Sequence, residues 1–576
     1  MIVHRSTDER DRAWWKEAVV YQIYPWSFND SRGDGIGDLP GVREKVDYLH
    51  DLGVDVVWLT PVYDSPKVDN GYDIRDYRAI LPEFGGLDDL HALLSDLHDR
   101  GMKLIMDLAV NHTSDEHEWF RAARKSRDNP YRDYYIWHPG EPGEPPNNWE
   151  SHFGGSAWEY DQRTGEYYLH LYHHRQPDLN WANPDVRESI YEIMRWWLEE
   201  GIDGFRLDVI NLLSKPREFP DGDPDSDWTG VKHFVDGPRI HDYFRGMRTE
   251  VFDHYDAMTV GEMPELTVES ARKHVGEDGA LDMAFQFEHV QLDYGEAGRW
   301  DIGEWTVPEF REVFTRWQEG LAGDGWNTLF LNNHDQPRSV SRFGDDDRYR
   351  AESAKLLATL LFTLRGTPFI YQGEEIGMTN APFDRIEDIR DVDTRQHVDL
   401  LMAERGIDDY AELSDLVSYR SRDNARTPMQ WSDDRAAGFT DGDPWITVNP
   451  NYTEINVERE RADPDSVWHY YRELITLRDR EPVLIYGDYE LVSPDHDTVF
   501  AYRRTLDDRR ALVALNVAPE TATFRPPGDA PTDDADLLIG NYPADGSEDG
   551  APVDDGPGND PGVLSLRPYE ARVYGL

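Results

Sequence analysis

Gly204-Phe-Arg-Leu-Asp-Val209 reads as a short apolar strand with a charged end. Arg206 and Asp208 lie two residues apart, so in an extended chain both side chains leave on one face. Three further segments share the plan: Asp107-Leu-Ala-Val-Asn-His112, Thr259-Val-Gly-Glu262 and Phe330-Leu-Asn-Asn-His-Asp335. Outward from these, short β-branched runs alternate with helical patterns from Val19 onward, as in βα units around a parallel sheet. Candidate strands cover residues 19–24, 55–60, 103–110, 204–209, 257–261, 281–287, 327–331 and 368–371. Amphipathic stretches at 42–52, 87–100, 186–201 and 349–365 lie between them. Eight such repeats predict an α/β fold, a (β/α)8 TIM barrel whose functional side chains gather at the C-terminal strand ends.

The repeat is interrupted. About seventy residues rich in Trp, Tyr, His, Pro and Gly separate strand three from the next helix, too many for a plain βα loop. Residues 113–181 are therefore expected to form an inserted subdomain after strand 3, within a barrel made of 1–112 and 182–488. Residues 384–426, charged and partly helical, are the only other expected departure, and they could reach back to the mouth. From 489 to 576 strand-like runs at 499–503, 511–517 and 571–574 predict a C-terminal antiparallel β-domain. The Asp-, Gly- and Pro-rich stretch 526–562 within it reads as solvated acidic loop.

Composition limits what such a chain can do. Over 576 residues, 114 acids against 59 bases give a formal charge of −55, which repels nucleic acid and anionic membranes. Only nine of the bases are lysines. Because the acids are spread along the chain, they suggest adaptation to high salt, where screening suppresses self-repulsion. There is no cysteine, hence no disulfide or thiolate chemistry. Met1–Arg10 has no apolar secretory core, and no apolar run reaches the roughly 20 residues of a membrane span. A soluble cytoplasmic protein is expected, monomeric or weakly homo-oligomeric. The Gly33–Gly37 run follows no phosphate-binding pattern, and no organic cofactor is expected.

The strand ends deliver Asp208, Glu262 and Asp335. Glycosidic bond cleavage needs such acids: one to attack, one to donate a proton. Arg206 beside Asp208 would keep that carboxylate ionised. An apolar setting around Glu262, between Val260-Gly261 and Met263-Pro264, would raise its pKa as a proton donor requires. Asp335 could favour a positively charged transition state, and His112 and His334 could donate to hydroxyls. Asp69-Asn-Gly-Tyr-Asp73 follows strand two, where Asp69 offers a carboxylate and Tyr72 a platform for a sugar ring.

Taken together the segments resemble the α-amylase superfamily of retaining glycoside hydrolases, most closely its oligo-1,6-glucosidase and α-glucosidase branch. The resemblance runs from Ala18-Val-Val-Tyr-Gln-Ile-Tyr-Pro25 to the C-terminal β-domain. It takes in Gln176-Pro-Asp-Leu-Asn180 and Ser421-Arg-Asp-Asn-Ala-Arg-Thr-Pro-Met-Gln-Trp431. It implies Asp208 as nucleophile, Glu262 as acid/base and Asp335 as transition-state stabiliser. Asp69, Tyr72, His112, Arg206, His334 and an arginine of the last motif, Arg422 in preference to Arg426, would hold the terminal glucose. Asp69 and that arginine would close the pocket and restrict attack to chain ends. The residue after the nucleophile resembles a linkage discriminator, valine with α-1,6 and threonine with α-1,4; here it is Val209. The implied substrate is a short isomalto-oligosaccharide, with transglycosylation as a side reaction. The alternatives are a maltase, a sucrose- or trehalose-acting sibling, and a disaccharide isomerase. A non-catalytic barrel subunit lacks such a set of acids and carries an anchor that this sequence does not show.

Asp30-Ser-Arg-Gly-Asp-Gly-Ile-Gly-Asp38 resembles the family's calcium or magnesium loop after strand one, with Asp30, Asp34, Asp38 and the Ile36 carbonyl as ligands. Arg32 stands where that pattern usually has asparagine. The other reading of the loop is a hydrogen-bonded turn in which Arg32 supplies the positive charge.

Overall fold

The computed structural model describes residues 12–296, 298–527, 535–543 and 562–576. Met1–Arg10 and most of the acidic stretch 526–562 lie outside the described residues. Eight parallel strands form the centre: β1 (Val20–Ile23), β2 (Val56–Leu59), β3 (Lys103–Ala109), β4 (Gly204–Asp208), β5 (Met258–Glu262), β6 (Met283–Phe285), β7 (Thr328–Leu329) and β8 (Thr367–Tyr371). Each pairs with its neighbours in sequence, β1 pairs with β8, and a parallel bridge from Ala284 to Asn327 closes the ring. The chain is a TIM barrel.

Strand order and register follow from the side chains. Val20, Val56, Trp58, Ile105, Met258, Val260, Met283, Phe285, Phe330 and Phe369 fill the barrel interior. Their neighbours in sequence, Tyr21, Val57, Leu104 and Met106, face the helices, as do Phe205 and Leu207 on either side of Arg206. Both faces are buried, which is why the strands read as near-continuous apolar runs. At the start of β4 only glycine fits. Gly204 has φ +152, and a Cβ there would come within 2.1 Å of the Met258 carbonyl oxygen. Its absence lets β5 approach and sets the register that carries Asp208 and Glu262 to the same rim. The helix Pro184–Glu199 between β3 and β4 shows how the outer layer forms. Asn183 caps the Asp185 N–H, proline takes the first turn, and Val186, Ile190, Ile193, Met194 and Trp197 make one buried stripe.

The insert holds the helix Glu118–Ala123 and a three-stranded antiparallel sheet of Trp137–Pro139, Trp158–Asp161 and Glu166–Leu169. Its ends are stitched to the barrel by a bridge between His112 and Asp178. Lys215, reaching in from beyond β4, pairs with Asp178 at 2.7 Å and donates to Asn111 at 2.6 Å.

Residues 384–426 are not the only other departure. The segment following β4, up to the helix Ile240–Glu250, climbs over the insert: the indoles of Trp149 and Trp228 donate to Pro220 and Glu150 carbonyls, and Asn147 to Phe219. Antiparallel pairs at Tyr63–Asp64 with Asp76–Ile80, and at Tyr294–Gly295 with Gly298–Ile302, add two more. These segments lack the apolar periodicity that marks an element in sequence, because they pack through single aromatic rings.

From Asp488 a five-stranded antiparallel sheet and a two-stranded one form the C-terminal region. Buried arginines glue it to the barrel by donating to carbonyls: Arg504 to Thr363 and Leu484, and Arg311 to Pro494 and His496. A guanidinium offers five fixed donors to such carbonyls where an ammonium offers three, which suits the arginine-rich, lysine-poor composition.

Candidate active site

At the C-terminal rim, β4 and β5 present Asp208 and Glu262, and the segment following β7 presents Asp335. Arg206 is the hub on one side. Its Nη1 meets Asp208 Oδ1 at 2.6 Å and Asp107 Oδ1 at 2.8 Å, and its Nη2 meets Glu262 Oε1 at 2.7 Å. The guanidinium lies 5.4 Å from the Trp58 ring centre and 5.9 Å from that of Tyr72. One cation is thus shared by three buried acids.

That sharing changes the electrostatic expectation. Burial pushes the Asp208 carboxyl well up, the adjacent Glu262 raises it further, and Arg206 opposes both. Arg206 does not keep Asp208 ionised by simple pairing, because its charge is divided. Burial and the neighbouring Glu262 together outweigh Arg206 and hold the Asp208 carboxyl above the usual carboxylate range. Nor is the setting of Glu262 purely apolar: Oε1 faces Arg206 and Oε2 accepts from the Val209 N–H at 3.1 Å. Val209 aims that N–H from a left-handed backbone, φ 38 and ψ 42, rare for a β-branched residue. Its side chain packs among Trp149, Trp158, Leu171, Leu212 and Phe234, from the insert and the segment beyond β4.

On the opposite side Asp335 is a fixed anion. Burial would raise it, but His334 at 3.1 Å, Arg422 at 3.1 Å and Arg426 at 2.7 Å hold it well below the usual carboxylate range. His334 has both ring nitrogens engaged, Nδ1 by Gln22 at 2.7 Å and Nε2 by the Tyr72 hydroxyl at 2.6 Å. Its ring stacks on Tyr72 at 5.5 Å. His334 and Tyr72 thus form a braced pair, with the Tyr72 hydroxyl also donating to Asp107.

Asp69 is 3.5 Å from Arg422 and accepts from Gln176 at 3.2 Å; burial pushes its carboxyl up to about 6. Gln176 also lies 3.3 Å from Nε2 of His112, whose pKa burial lowers to about 4, so the ring is neutral near pH 7. Between the two arginines of the 421–431 motif, Arg422 is the one that reaches Asp69. Arg426 is the more deeply buried and binds the His334 carbonyl, Asp391 and Asp335. Asp69, Tyr72, His112, Arg206, Val209, His334 and Arg422 thus converge with the three carboxylates.

Four participants were absent from the sequence reading. Asp107 shares Arg206, and Gln176 bridges Asp69 and His112. Asp391 accepts from Arg422 at 2.6 Å and Arg426 at 3.1 Å, while Asp393 lies 3.9 Å from Arg422. Asp107 and Gln176 stood inside quoted motifs. Asp391 had only the charge of its segment to mark it.

The glycine-rich loop after β1 takes its own form. Asp30 accepts from the N–H groups of Arg32, Gly33 and Gly35 and from the Thr440 hydroxyl. Asp38 accepts from Ser31, the Gly41 N–H and Arg32 Nε at 3.1 Å. Asp34 is exposed and accepts from the Ile36 N–H, so it turns outward from that pair. Among the described residues no group of three or more acids or histidines is arranged to hold a metal ion. The loop does not fit a divalent cation in this arrangement.

The family model for the alpha-amylase catalytic domain matches residues 22–487. The chain is 54% identical to an oligo-1,6-glucosidase of Parageobacillus thermoglucosidasius, over 98% of this chain and 99% of that one. It is 52% identical to an oligo-1,6-glucosidase of Bacillus cereus, over 98% and 100%. Among solved structures it is similar to trehalose-6-phosphate hydrolase of Bacillus licheniformis, with a TM-score of 0.90, 46% identity and coverage of 98% and 100%. It is also similar to isomaltulose synthase from Klebsiella sp. LX3, with a TM-score of 0.92, 43% identity and coverage of 98% and 100%.

Proposed function

The chain belongs to the alpha-amylase family of glycoside hydrolases, and from that premise we propose that it is a retaining, exo-acting oligo-1,6-glucosidase. It would release glucose from the non-reducing end of short isomalto-oligosaccharides. The exo reading is supported by the Asp69–Arg422 pair, 3.5 Å apart, with Arg422 also 3.1 Å from Asp335; so placed, the pair would close the pocket behind one terminal glucose.

The chemistry follows from the groups around that glucose. Asp208 attacks the anomeric carbon while Glu262 passes its proton to the departing glycosidic oxygen. The C–O bond to the leaving sugar breaks as the C–O bond to Asp208 forms. In the second step Glu262 takes a proton from water, whose oxygen displaces Asp208 and restores the starting configuration. A second sugar in place of water gives transglycosylation. Asp335, ionised at all working pH values, stabilises the cationic ring between the two steps. The first step needs Asp208 ionised and a proton on Glu262, and Arg206 touches both carboxylates, at 2.6 Å and 2.7 Å.

Val209 supports the α-1,6 preference. Its side chain, packed among Trp149, Trp158 and Phe234 next to Asp208, would border the leaving sugar, where a methyl in place of a hydroxyl removes a hydrogen-bonding partner. With purified protein in concentrated KCl, kcat/KM for isomaltose is expected to exceed that for maltose. In Val209→Thr the ratio should shift toward maltose by about ten-fold, the equivalent of one hydrogen bond. A wild-type preference for maltose contradicts the linkage assignment and leaves the mechanism intact.

The same reading extends to setting. The formal charge of −55 supports a protein suited to high salt, and the absence of an apolar secretory core in Met1–Arg10 supports a cytoplasmic location. Among the described residues no helix is long and apolar enough to cross a membrane. We assign catalysis to 1–112 with 182–488, the leaving-sugar wall to 113–181, and a supporting role to 489–576.

A further inference from the structure

The loop from Asp30 to Asp38 has the acid spacing of a cation site and holds none of its charge balance through oxygen ligands. Arg32 projects along the loop. Its Nε donates to Asp38, which is fully buried, and its two Nη atoms donate to the Pro82 carbonyl at 3.4 Å and the Glu83 carbonyl at 2.5 Å. The guanidinium thus joins three chain segments, the loop, the N-terminal cap of the helix Leu39–Glu44, and the turn before the helix Leu87–His98. Linking carbonyls and carboxylates from separate segments is also what a calcium ion does in such a turn.

The loop also supports the pocket. Asp30 N–H donates to the Phe439 carbonyl, and Trp445 N–H to the Gly35 carbonyl. Gly35 has φ +90, and a Cβ there would lie 1.9 Å from the Asp443 carbonyl oxygen, so the two segments are in close backbone contact. Trp445 in turn packs against Trp26 and against Tyr24, which stacks on His334.

We propose that Arg32 is a built-in counter-cation that replaces a divalent metal in this loop, making the chain independent of calcium and magnesium. Removing the guanidinium would expose a latent metal site, since Asp30, Asp38 and the carbonyls it served remain in place.

The test compares wild type with Arg32→Asn, both dialysed against EDTA in concentrated KCl. Terbium(III) is the probe, excited through Trp26 and Trp445 beside the loop, with calcium as competitor and thermal unfolding as a second readout. Wild type should show no stoichiometric, calcium-displaceable terbium emission, and its Tm should be the same in EDTA and in calcium. R32N should bind one terbium about ten-fold or more tightly than wild type, unfold at lower temperature, and regain Tm with calcium. A stoichiometric, calcium-displaceable site in wild type overturns the proposal. So does an R32N protein that binds terbium no better than wild type. Should R32N fail to fold, Arg32→Lys carries the test: it keeps the charge and must lose Tm without gaining a terbium site.

Discussion

Asp208→Ala should lower kcat/KM for isomaltose by about 10⁴-fold or more while leaving the protein folded and able to bind sugar. The loss is large because no other group can form the glucosyl-enzyme. Glu262 is held by Arg206 and the Val209 N–H, and Asp335 by two arginines and His334. Binding survives because Asp69, Arg422, His112 and the Tyr72–His334 pair remain. Stability should not fall, and Tm should rise slightly. Burial and Glu262 push the Asp208 carboxyl up, so its ionised form is a cost to the folded state that alanine removes. The sign is set by that raised value: a carboxylate with a folded pKa above its unfolded one penalises folding as pH rises past it. The Tm difference should therefore shrink in acid. Glucose release within ten-fold of wild type would sink the assignment of Asp208.

Glu262→Gln should lower kcat/KM for isomaltose by roughly 10²–10⁴-fold, the range for a lost general acid. Its effect should depend on the leaving group, which separates it from the Asp208 variant. An aryl glucoside with an acidic phenol needs little protonation to depart, so the first step should be nearly preserved. The second step lacks its base, and a burst of phenol equal to the enzyme concentration should precede slow turnover. Azide, a nucleophile that needs no deprotonation, should restore turnover and yield the α-glucosyl azide. Glutamine has one acceptor oxygen where Glu262 has two, so it keeps the contact to either Arg206 or the Val209 N–H and loses the other; Asp69, Arg422 and His112 are untouched, so binding should change little. Equal losses on both substrate types, with no burst and no azide rescue, would remove Glu262 from the acid/base role.

Much of this was legible in the sequence, for a physical reason. A barrel puts every strand's C-terminal end on one rim, so carboxylates at strand ends in sequence become neighbours in space whatever their separation. Asp208, Glu262 and Asp335 could be named for that reason alone. Asp391 could not. It caps the helix Val392–Arg405 through the Thr394 N–H, a role that any N-cap aspartate fills, and its second partner, Arg422, is 31 residues away. Val209 was identified as a side chain; its left-handed backbone was invisible, since β-branched residues disfavour it. The same limit applies to charge. Arg206 and Asp208 looked like a pair because they are two residues apart, but Asp107 arrives from β3 and Glu262 from β5. Only the closed sheet shows that one guanidinium serves all three. The climb of the chain over the insert beyond β4 was missed because Trp149 and Trp228 anchor it singly, leaving no period to read.

The mechanism turns on a covalent glucosyl-enzyme at Asp208. The most direct measurement is mass spectrometry of the protein after incubation with a 5-fluoro-α-glucosyl fluoride, whose fluorine slows hydrolysis of the intermediate while the fluoride leaves without acid help. One sugar adduct per chain is expected, located by proteolysis to the peptide containing Asp208, and absent from Asp208→Ala. An adduct on the Glu262 or Asp335 peptide, or substrate turnover with inverted configuration and no adduct at all, would contradict it.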